Sequence, residues 1–343
     1  MSEENANNLD EGMPQVALLK MITGAWLSQA IYGAASLGVA DVIKDGPKTI
    51  DEIAAAVNAE PRALYRVLRL LASHGIFEEQ PDQRFAQTSY SECLEREAFG
   101  SVRAMSILCG EEHYRAWGDI VQSLKTGAPA FDRLYQQSFY DHLNTNPTLN
   151  KTFDDAMLNM AILGNLAVSG AYSFAPQTTI VDMGGGHGQL LSAVLNQNPD
   201  TCGVLFDTPQ TLTGAPEFLA SAGIEDRVRC QPGDFFFEAP KGGDYYLMAR
   251  VLQNFSDEAC VTLLRHCREA MSPGAKILVI EMVIPPGNKP FFGKLSDVNM
   301  LVMTHGRERT AEEYASLFIA AGLRLTRTIP TESPMSIVEG VLA

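Results

Sequence analysis

The run Asp182-Met183-Gly184-Gly185-Gly186-His187-Gly188 follows a strand-like TTIV segment and is itself followed at once by a helix-like GQLLSAVLNQ. Glycines at this spacing let the backbone turn tightly and let a ligand lie against it with no Cβ in the way. Nineteen residues past Gly188, at the end of the next strand-like run GVLFD, stands Asp207, a carboxylate placed to accept hydrogen bonds from both hydroxyls of a ribose. A third acidic turn, Gly233-Asp234-Phe235, is where an adenine could lie. The dinucleotide fingerprint G-x-G-x-x-G fails, because the sixth position counted from Gly184 is Gln189. The acidic residue that leads the glycines suits a ligand with a cationic amino-acid end better than a pyrophosphate. The nucleoside with that character is S-adenosylmethionine.

The elements needed to hold such a loop are legible on both sides of it. After Pro176, strand-like and helix-like runs alternate: TTIVDMGG, the helix from Gly188, CGVLFDTP, VRCQPGD, DYYLMARVL, a helix from Glu258 to Met271, and AKILVIEMV. That alternation predicts an open α/β sheet with helices on both faces, closed by an antiparallel hairpin from LRLTRTIP and SPMSIVEGVLA. Such sheets bind ligands at the carboxyl ends of their strands. Before Pro176 the chain reads as helical. The stretch VALLKMITGAWLSQAIYGAASLGVADVI is apolar on nearly every face and predicts a buried dimer contact. Thr49 with Glu52 predicts a capping box, Pro61 opens the next helix, and Leu64, Val67, Leu68 and Leu71 form its apolar stripe. With a hairpin over IFEEQPDQRFAQT these make a winged helix. Four segments follow: a leader over 1–12, the winged-helix dimerisation domain over 13–100, a helical linker and substrate-pocket segment over 101–175, and the cofactor domain over 176–343.

Composition sets limits on partners. The chain has 343 residues, 46% hydrophobic and 20% charged, as in ordinary globular proteins. Its net charge of −15 argues against nucleic acid as a partner, although Arg62, Arg66 and Arg69 on the second helix of the winged unit keep DNA binding open. No apolar run is long enough to cross a bilayer and no polybasic patch suits a membrane, so the expected location is cytoplasmic. Six cysteines and six histidines are scattered without metal-ligand spacing, which predicts neither a disulfide framework nor a metal site.

The segments VDMGGGHG, GVLFDTP, GDFF, ARVLQNFSDE, LLRHCREAMSPGAKILVIE and GRERTAEEY together resemble the O-methyltransferase family of plant caffeic acid O-methyltransferase and its bacterial natural-product relatives, over residues 13 to the end. The resemblance implies a homodimer in which one subunit's N-terminal helices help to close the other's site. It implies that Asp182, Gly184 and Gly186 hold the methionine part of the cofactor, that Asp207 takes the ribose, and that Asp234 and Phe235 take the adenine, with Arg250 in the same set. Many members read H-D-W-S-D-E where this chain reads Gln253-Asn254-Phe255-Ser256-Asp257-Glu258, their His being the general base. A glutamine side chain cannot accept a proton near neutral pH. The family glutamates that position that His correspond to Glu281 and Glu308, and both are present.

The expected activity is therefore in-line methyl transfer to an already acidic hydroxyl of an aromatic or polycyclic phenol or quinone. Transfer to a ring nitrogen, and loss of methylation in a cofactor-binding relative, remain open beside it. A winged-helix regulator that senses S-adenosylmethionine is the rival from another class. His305, just before GRERT, is a candidate substitute base, set against the plainer reading of a surface-loop residue. For the acceptor pocket the candidates are His113, Phe153, Met157, Met160, Asn254 and Met303, with Trp117 as packing. Met and aromatic residues at helical spacing are usually core, and the pocket reading is the alternative.

Overall fold

The computed structural model describes residues 13–343, apart from the side chains of residues 162 and 163; the leader expected over 1–12 lies outside the described residues. The chain forms two compact units, one of residues up to 115 with 143–159, the other of 116–142 with 160–343. The long helix Pro147–Ala171 contributes to both.

In the first unit the apolar N-terminal stretch is two helices, Pro14–Ile22 and Gly24–Leu37, broken at Thr23, whose hydroxyl returns to Leu19 O at 2.9 Å. Leu18, Leu19, Met21, Ile22 and Trp26 are exposed, so these helices present an apolar surface that the other described residues do not cover. Strand β1 (Lys48–Thr49) leads into the helix Ile50–Val57. The capping box forms: Thr49 N donates to Glu52 Oε2 at 2.7 Å and Glu52 N to Thr49 Oγ1 at 3.3 Å. The next helix, Pro61–Ala72, buries Leu64, Leu68 and Leu71 and leaves Arg62, Arg66 and Arg69 exposed. The hairpin β2 (Phe77–Gln80) and β3 (Arg84–Gln87) completes a three-stranded sheet of order β1-β3-β2. The two helices and the hairpin expected for this segment are present.

The second unit is built on a seven-stranded sheet. Its strands are β4 (Thr179–Met183), β5 (Cys202–Asp207), β6 (Val228–Pro232), β7 (Tyr245–Ala249), β8 (Lys276–Glu281), β9 (Leu323–Pro330) and β10 (Ser336–Leu342), in the order β6-β5-β4-β7-β8-β10-β9. The first five in that order are parallel; β10 runs antiparallel to both β8 and β9. Strand order reverses between β4 and β7, which opens a crevice at their carboxyl ends. Side chains alternate between faces along each strand. Val181, Met183, Tyr246, Met248, Ile277 and Val279 pack under helices Asp257–Ala270 and Ala311–Ala321. Ile180, Leu205, Leu247, Leu278 and Ile280 pack under helices Gln189–Gln197 and Ala215–Ser221. With both faces covered, the strands must be nearly continuously apolar, and YYLMA and ILVI are.

One charge is built into this sheet. Glu339 on β10 is buried and accepts from Tyr172 Oη (2.6 Å), Lys276 Nζ (3.1 Å), Thr326 Oγ1 (2.6 Å) and Arg327 Nη2 (3.0 Å). Burial alone would raise its pKa, yet the hydrogen bonds from Arg327, Thr326, Tyr172 and Lys276 bring it down to about 2. A carboxylate whose folded pKa lies below its unfolded value stabilises the fold above the unfolded value and loses that contribution as pH falls through the folded one. Glu339→Gln is expected to lower the melting temperature at neutral pH. It should also remove part of the parent's loss between about pH 4.5 and pH 2, read from melting curves across that range. Equal acid sensitivity in parent and variant would show that other groups dominate.

Candidate active site

The carboxyl end of β4 becomes the glycine loop. Gly184, Gly186 and Gly188 all adopt left-handed φ (71°, 62° and 95°), the conformation in which glycine carries no penalty. A Cβ on Gly184 would stand 3.1 Å from Val251 and 3.3 Å from the Phe235 ring, so the cradle is closed to any larger residue. One on Gly185 would stand 2.6 Å from the Asp182 carboxyl. Asp207, at the end of β5, holds the loop from the side: its Oδ2 accepts from Gly186 N at 3.0 Å and its Oδ1 from Thr208 N at 2.7 Å. Asp234 caps its own turn, accepting from Phe236 N at 2.8 Å, and Phe235 stacks edge-on against Phe236 and Phe255. The sequence-predicted nucleoside set thus converges from three strand ends. His187 contributes its place in the loop; its ring packs against Gly214, where a Cβ would lie 3.0 Å away.

Asp182 carries the most informative electrostatics. It is 1% exposed and its Oδ2 has no hydrogen-bond partner among the described residues. Burial first, and then the charge of Asp207, raise its pKa to about 7. A buried carboxylate oxygen left unpaired is costly. At the head of a cradle open to a ligand it calls for a cation, and the ammonium end of S-adenosylmethionine supplies one. The residues present therefore fit that cofactor.

A cavity of about 480 Å³ adjoins this loop. Asp182, Gly184 and Gly185 form one part of its lining; Met160, Gly164, Val168, Met282, Phe292 and Met335 form an apolar wall. Arg250, Asn165 and Ser333 are its other polar residues of note. Met160 was expected there. Gly164, Asn165 and Val168 were not, although Met160, Gly164 and Val168 follow one helical face (i, i+4, i+8) and could have been read as a wall. Met282, Phe292 and Met335 come from three distant segments and carry no local signal.

Past β7 the chain makes a short turn, Leu252–Asn254, and Gln253 is buried within it. The backbone there is clamped. Gln253 N donates to Glu281 Oε1 at 3.3 Å, Arg307 N donates to Gln253 O at 2.8 Å, and a Cβ on Gly306 would collide with that carbonyl. With the carboxamide oriented so that its nitrogen meets acceptors, Nε2 donates to Glu281 Oε2 at 3.1 Å and to Glu308 Oε1 at 3.2 Å. Ser296 Oγ gives Glu308 Oε1 a second donor at 2.7 Å. Burial, and next the charge of Glu308, raise the Glu281 pKa to about 8; burial raises that of Glu308 as well. The three residues that the family resemblance grouped do meet, as an amide held between two carboxylates.

The remaining candidates are not among the residues that line this cavity. His305 is two-thirds exposed, its Nε2 2.9 Å from Asp132 Oδ2, and it does not line the cavity. Met303 is 1% exposed, inside the core at the end of helix Phe292–Met303. Asn254 bonds rather than opens: its Nδ2 donates to Arg250 O at 2.9 Å and its Oδ1 accepts from Tyr140 Oη at 3.0 Å. Trp117 packs as expected, with Nε1 donating to Asn299 Oδ1 at 2.9 Å. His113 belongs to the first unit, in a π-helical turn Cys109–His113, where burial lowers its pKa to about 4. Phe153 and Met157 also belong to the first unit. Among the described residues no group of three or more His, Cys, Asp or Glu is arranged to hold a metal ion, and no helix is long and apolar enough to cross a membrane.

A glycine cradle flanked by the Asp207 carboxylate at the switch point of a mostly parallel seven-stranded sheet, beside an apolar cavity, is the arrangement of an α/β nucleoside-binding enzyme. Comparison with known proteins agrees. Residues 114–324 match the O-methyltransferase domain, and residues 19–96 the O-methyltransferase dimerisation domain. The phenazine O-methyltransferase PhzM of Lysobacter antibioticus is 42% identical over 322 residues, 94% of each chain. The solved structure of LaPhzM superposes with a TM-score of 0.91 at 41% identity, covering 96% of this chain and all of that one. CalO1, a methyltransferase of calicheamicin biosynthesis solved in its S-adenosylhomocysteine-bound form, gives a TM-score of 0.85 at 33% identity with complete coverage of both chains. The chain belongs to the O-methyltransferase family and is an S-adenosylmethionine-dependent methyltransferase.

Proposed function

We propose that the enzyme methylates an acidic hydroxyl of an aromatic or polycyclic secondary metabolite, a phenol or hydroxyquinone that reaches the site already ionised. The observation that carries this reading is the seat of Gln253. Its amide is spent on Glu281 and Glu308, and it has no proton-accepting capacity to offer a neutral phenol. The apolar wall of Met160, Val168, Met282, Phe292 and Met335 suits a flat ring system. The names of the relatives, a phenazine O-methyltransferase among them, point to the same acceptor class.

In this reading Asp182 takes the cationic end of the cofactor, Asp207 its ribose, and Asp234 with Phe235 its adenine. Bound S-adenosylmethionine supplies a methyl group on a positively charged sulfur, open to direct attack. The chain's own contribution is to align donor and acceptor and to exclude water, which can supply most of the rate when the nucleophile is already formed. Gln253 keeps the two buried glutamates paired and the turn rigid. The exposed apolar helices Pro14–Ile22 and Gly24–Leu37, within a matched dimerisation domain, support a homodimer. DNA binding lies outside this reading: the chain's net charge is −15.

The test is transfer of labelled methyl from S-adenosylmethionine to hydroxylated anthraquinones, flavonoids, simple phenols and phenazines. Label in the acidic hydroxyl compounds supports the reading; label only on a ring nitrogen, or none with the cofactor bound, overturns it. Gln253→Ala is expected to lower turnover by less than about tenfold, against about 10²–10⁴ for loss of a general base. It should also lower the melting temperature, since two buried carboxylates lose a donor. Complete loss of turnover in a folded variant would give Gln253 a direct part in the chemistry.

A further inference from the structure

Arg250 is the first residue past β7 and has φ +56°, a left-handed conformation that a side chain larger than glycine adopts only under constraint. The constraint is visible. Arg250 N donates to Ile280 O at 3.0 Å, and its carbonyl accepts from Asn254 Nδ2 at 2.9 Å, with Asn254 in turn fixed to Tyr140 Oη. Both sides of the peptide are tied, so the residue is fixed where its side chain lines the cavity. Among the described residues its guanidinium makes no ion pair and no hydrogen bond. An always-charged fork with five donors, partly buried and unpaired in a mostly apolar cavity, is a receptor for an anion.

Which anion is decided by where Arg250 stands, at the entry to the turn that holds Gln253. Arg250 favours the ionised forms of Glu281, Glu308 and Tyr140, the groups around Gln253. Arg250 stands three residues before Gln253, and its carbonyl is bonded to Asn254 of the same turn. The guanidinium therefore faces the acceptor side of the site. Asn165 lines the same cavity with a carboxamide that makes no hydrogen bond among the described residues, a second polar group left for a ligand.

We propose that the Arg250 guanidinium is the counter-ion of the acceptor's oxyanion, and that it does by electrostatics what Gln253 cannot do as a base. This rests on the O-methylation reading for the identity of the acceptor. The acceptor binds as its anion and Arg250 holds that anion against the apolar wall. The oxygen's electron pair forms the C–O bond as the C–S bond breaks, the sulfur leaves neutral, and no proton passes to the enzyme. Acceptor choice is then set by acidity as well as by shape.

The experiment follows ionisation of a coloured acceptor, 1,2-dihydroxyanthraquinone, by visible absorbance on the complex of enzyme with S-adenosylhomocysteine, so that turnover plays no part. On the parent enzyme the bound dye is expected to ionise about one to two pH units below the free dye. In Arg250→Met that shift should vanish, and in Arg250→Lys part of it should remain. Calorimetry with S-adenosylhomocysteine should give affinities within about threefold for parent and variants, while methyl transfer to acidic phenols drops by about 10²-fold or more in Arg250→Met. The proposal is overturned by an unshifted or unbound dye on the parent, by a shift that survives in Arg250→Met, or by a tenfold loss of S-adenosylhomocysteine affinity in that variant. The last result would assign Arg250 to the cofactor instead. A shifted dye with no methyl transfer to any phenol would sink the O-methylation reading and leave the counter-ion in place.

Discussion

Asp207→Ala is expected to reduce affinity for S-adenosylhomocysteine by at least about 100-fold, close to 2.7 kcal/mol. Two losses combine. The carboxylate is the acceptor proposed for both ribose hydroxyls, and charge-assisted hydrogen bonds of that kind are about twice as strong as neutral ones. It is also the side support of the loop, accepting from Gly186 N at 3.0 Å. Without it the left-handed glycine keeps its freedom and the cradle is no longer formed before the ligand arrives. Isothermal titration of parent and variant checks this, with circular dichroism to confirm the fold. An affinity within threefold of the parent would remove Asp207 from the nucleoside site.

Asp182→Asn should move stability and binding in opposite directions. In the ligand-free protein the carboxyl is buried with an unpaired oxygen and a pKa raised to about 7. A carboxyl whose folded pKa lies above its unfolded value costs stability as pH rises past the unfolded value, and that cost is complete above the folded one. The amide removes the cost, so the ligand-free variant should melt at a higher temperature than the parent, most clearly above about pH 7. Binding goes the other way: the variant should lose about tenfold or more in affinity for S-adenosylhomocysteine, having no charge to set against its ammonium. The parent's affinity should rise with pH through about 7 as Asp182 ionises, and the variant's should not. Loss of both stability and binding in Asp182→Asn would mean the carboxylate is a structural acceptor.

The glycine loop could be read from the sequence because its determinants are local. A loop must turn where its glycines are, and a strand must end where its apolar run ends. Asp182, Gly184, Gly186 and Asp207 are each placed by a few neighbours along the chain, and the loop they form is the one expected. The cavity proposed to take the acceptor is assembled from segments far apart in sequence. Phe292 and Met335 line the cavity because of how β8, β10 and the helix after β8 pack, which no window of sequence contains. Met303 looked equivalent to Met160 and is core, since periodicity tells which face of a helix is apolar but not what that face meets. His305 drew notice as a histidine in an unusual place; the structure gives it a contact with Asp132 at the surface, 2.9 Å from Nε2 to Oδ2. Arg250 was read as a cofactor-binding residue; the left-handed backbone from which the counter-ion proposal is argued is invisible in its identity.

The clamp on the Gln253 peptide, with Arg307 N on its carbonyl and Gly306 pressed against it, reaches beyond this one chain. Because the peptide is held from outside, the side chain can be exchanged without disturbing its mounting, and the two carboxylates await whatever donor is installed. Glutamine and histidine codons differ only in their third base. A single nucleotide therefore separates this glutamine, with the restriction to acidic acceptors proposed for it, from a histidine able to take a proton. At this position substrate range is a matter of genetic access more than of structural reconstruction.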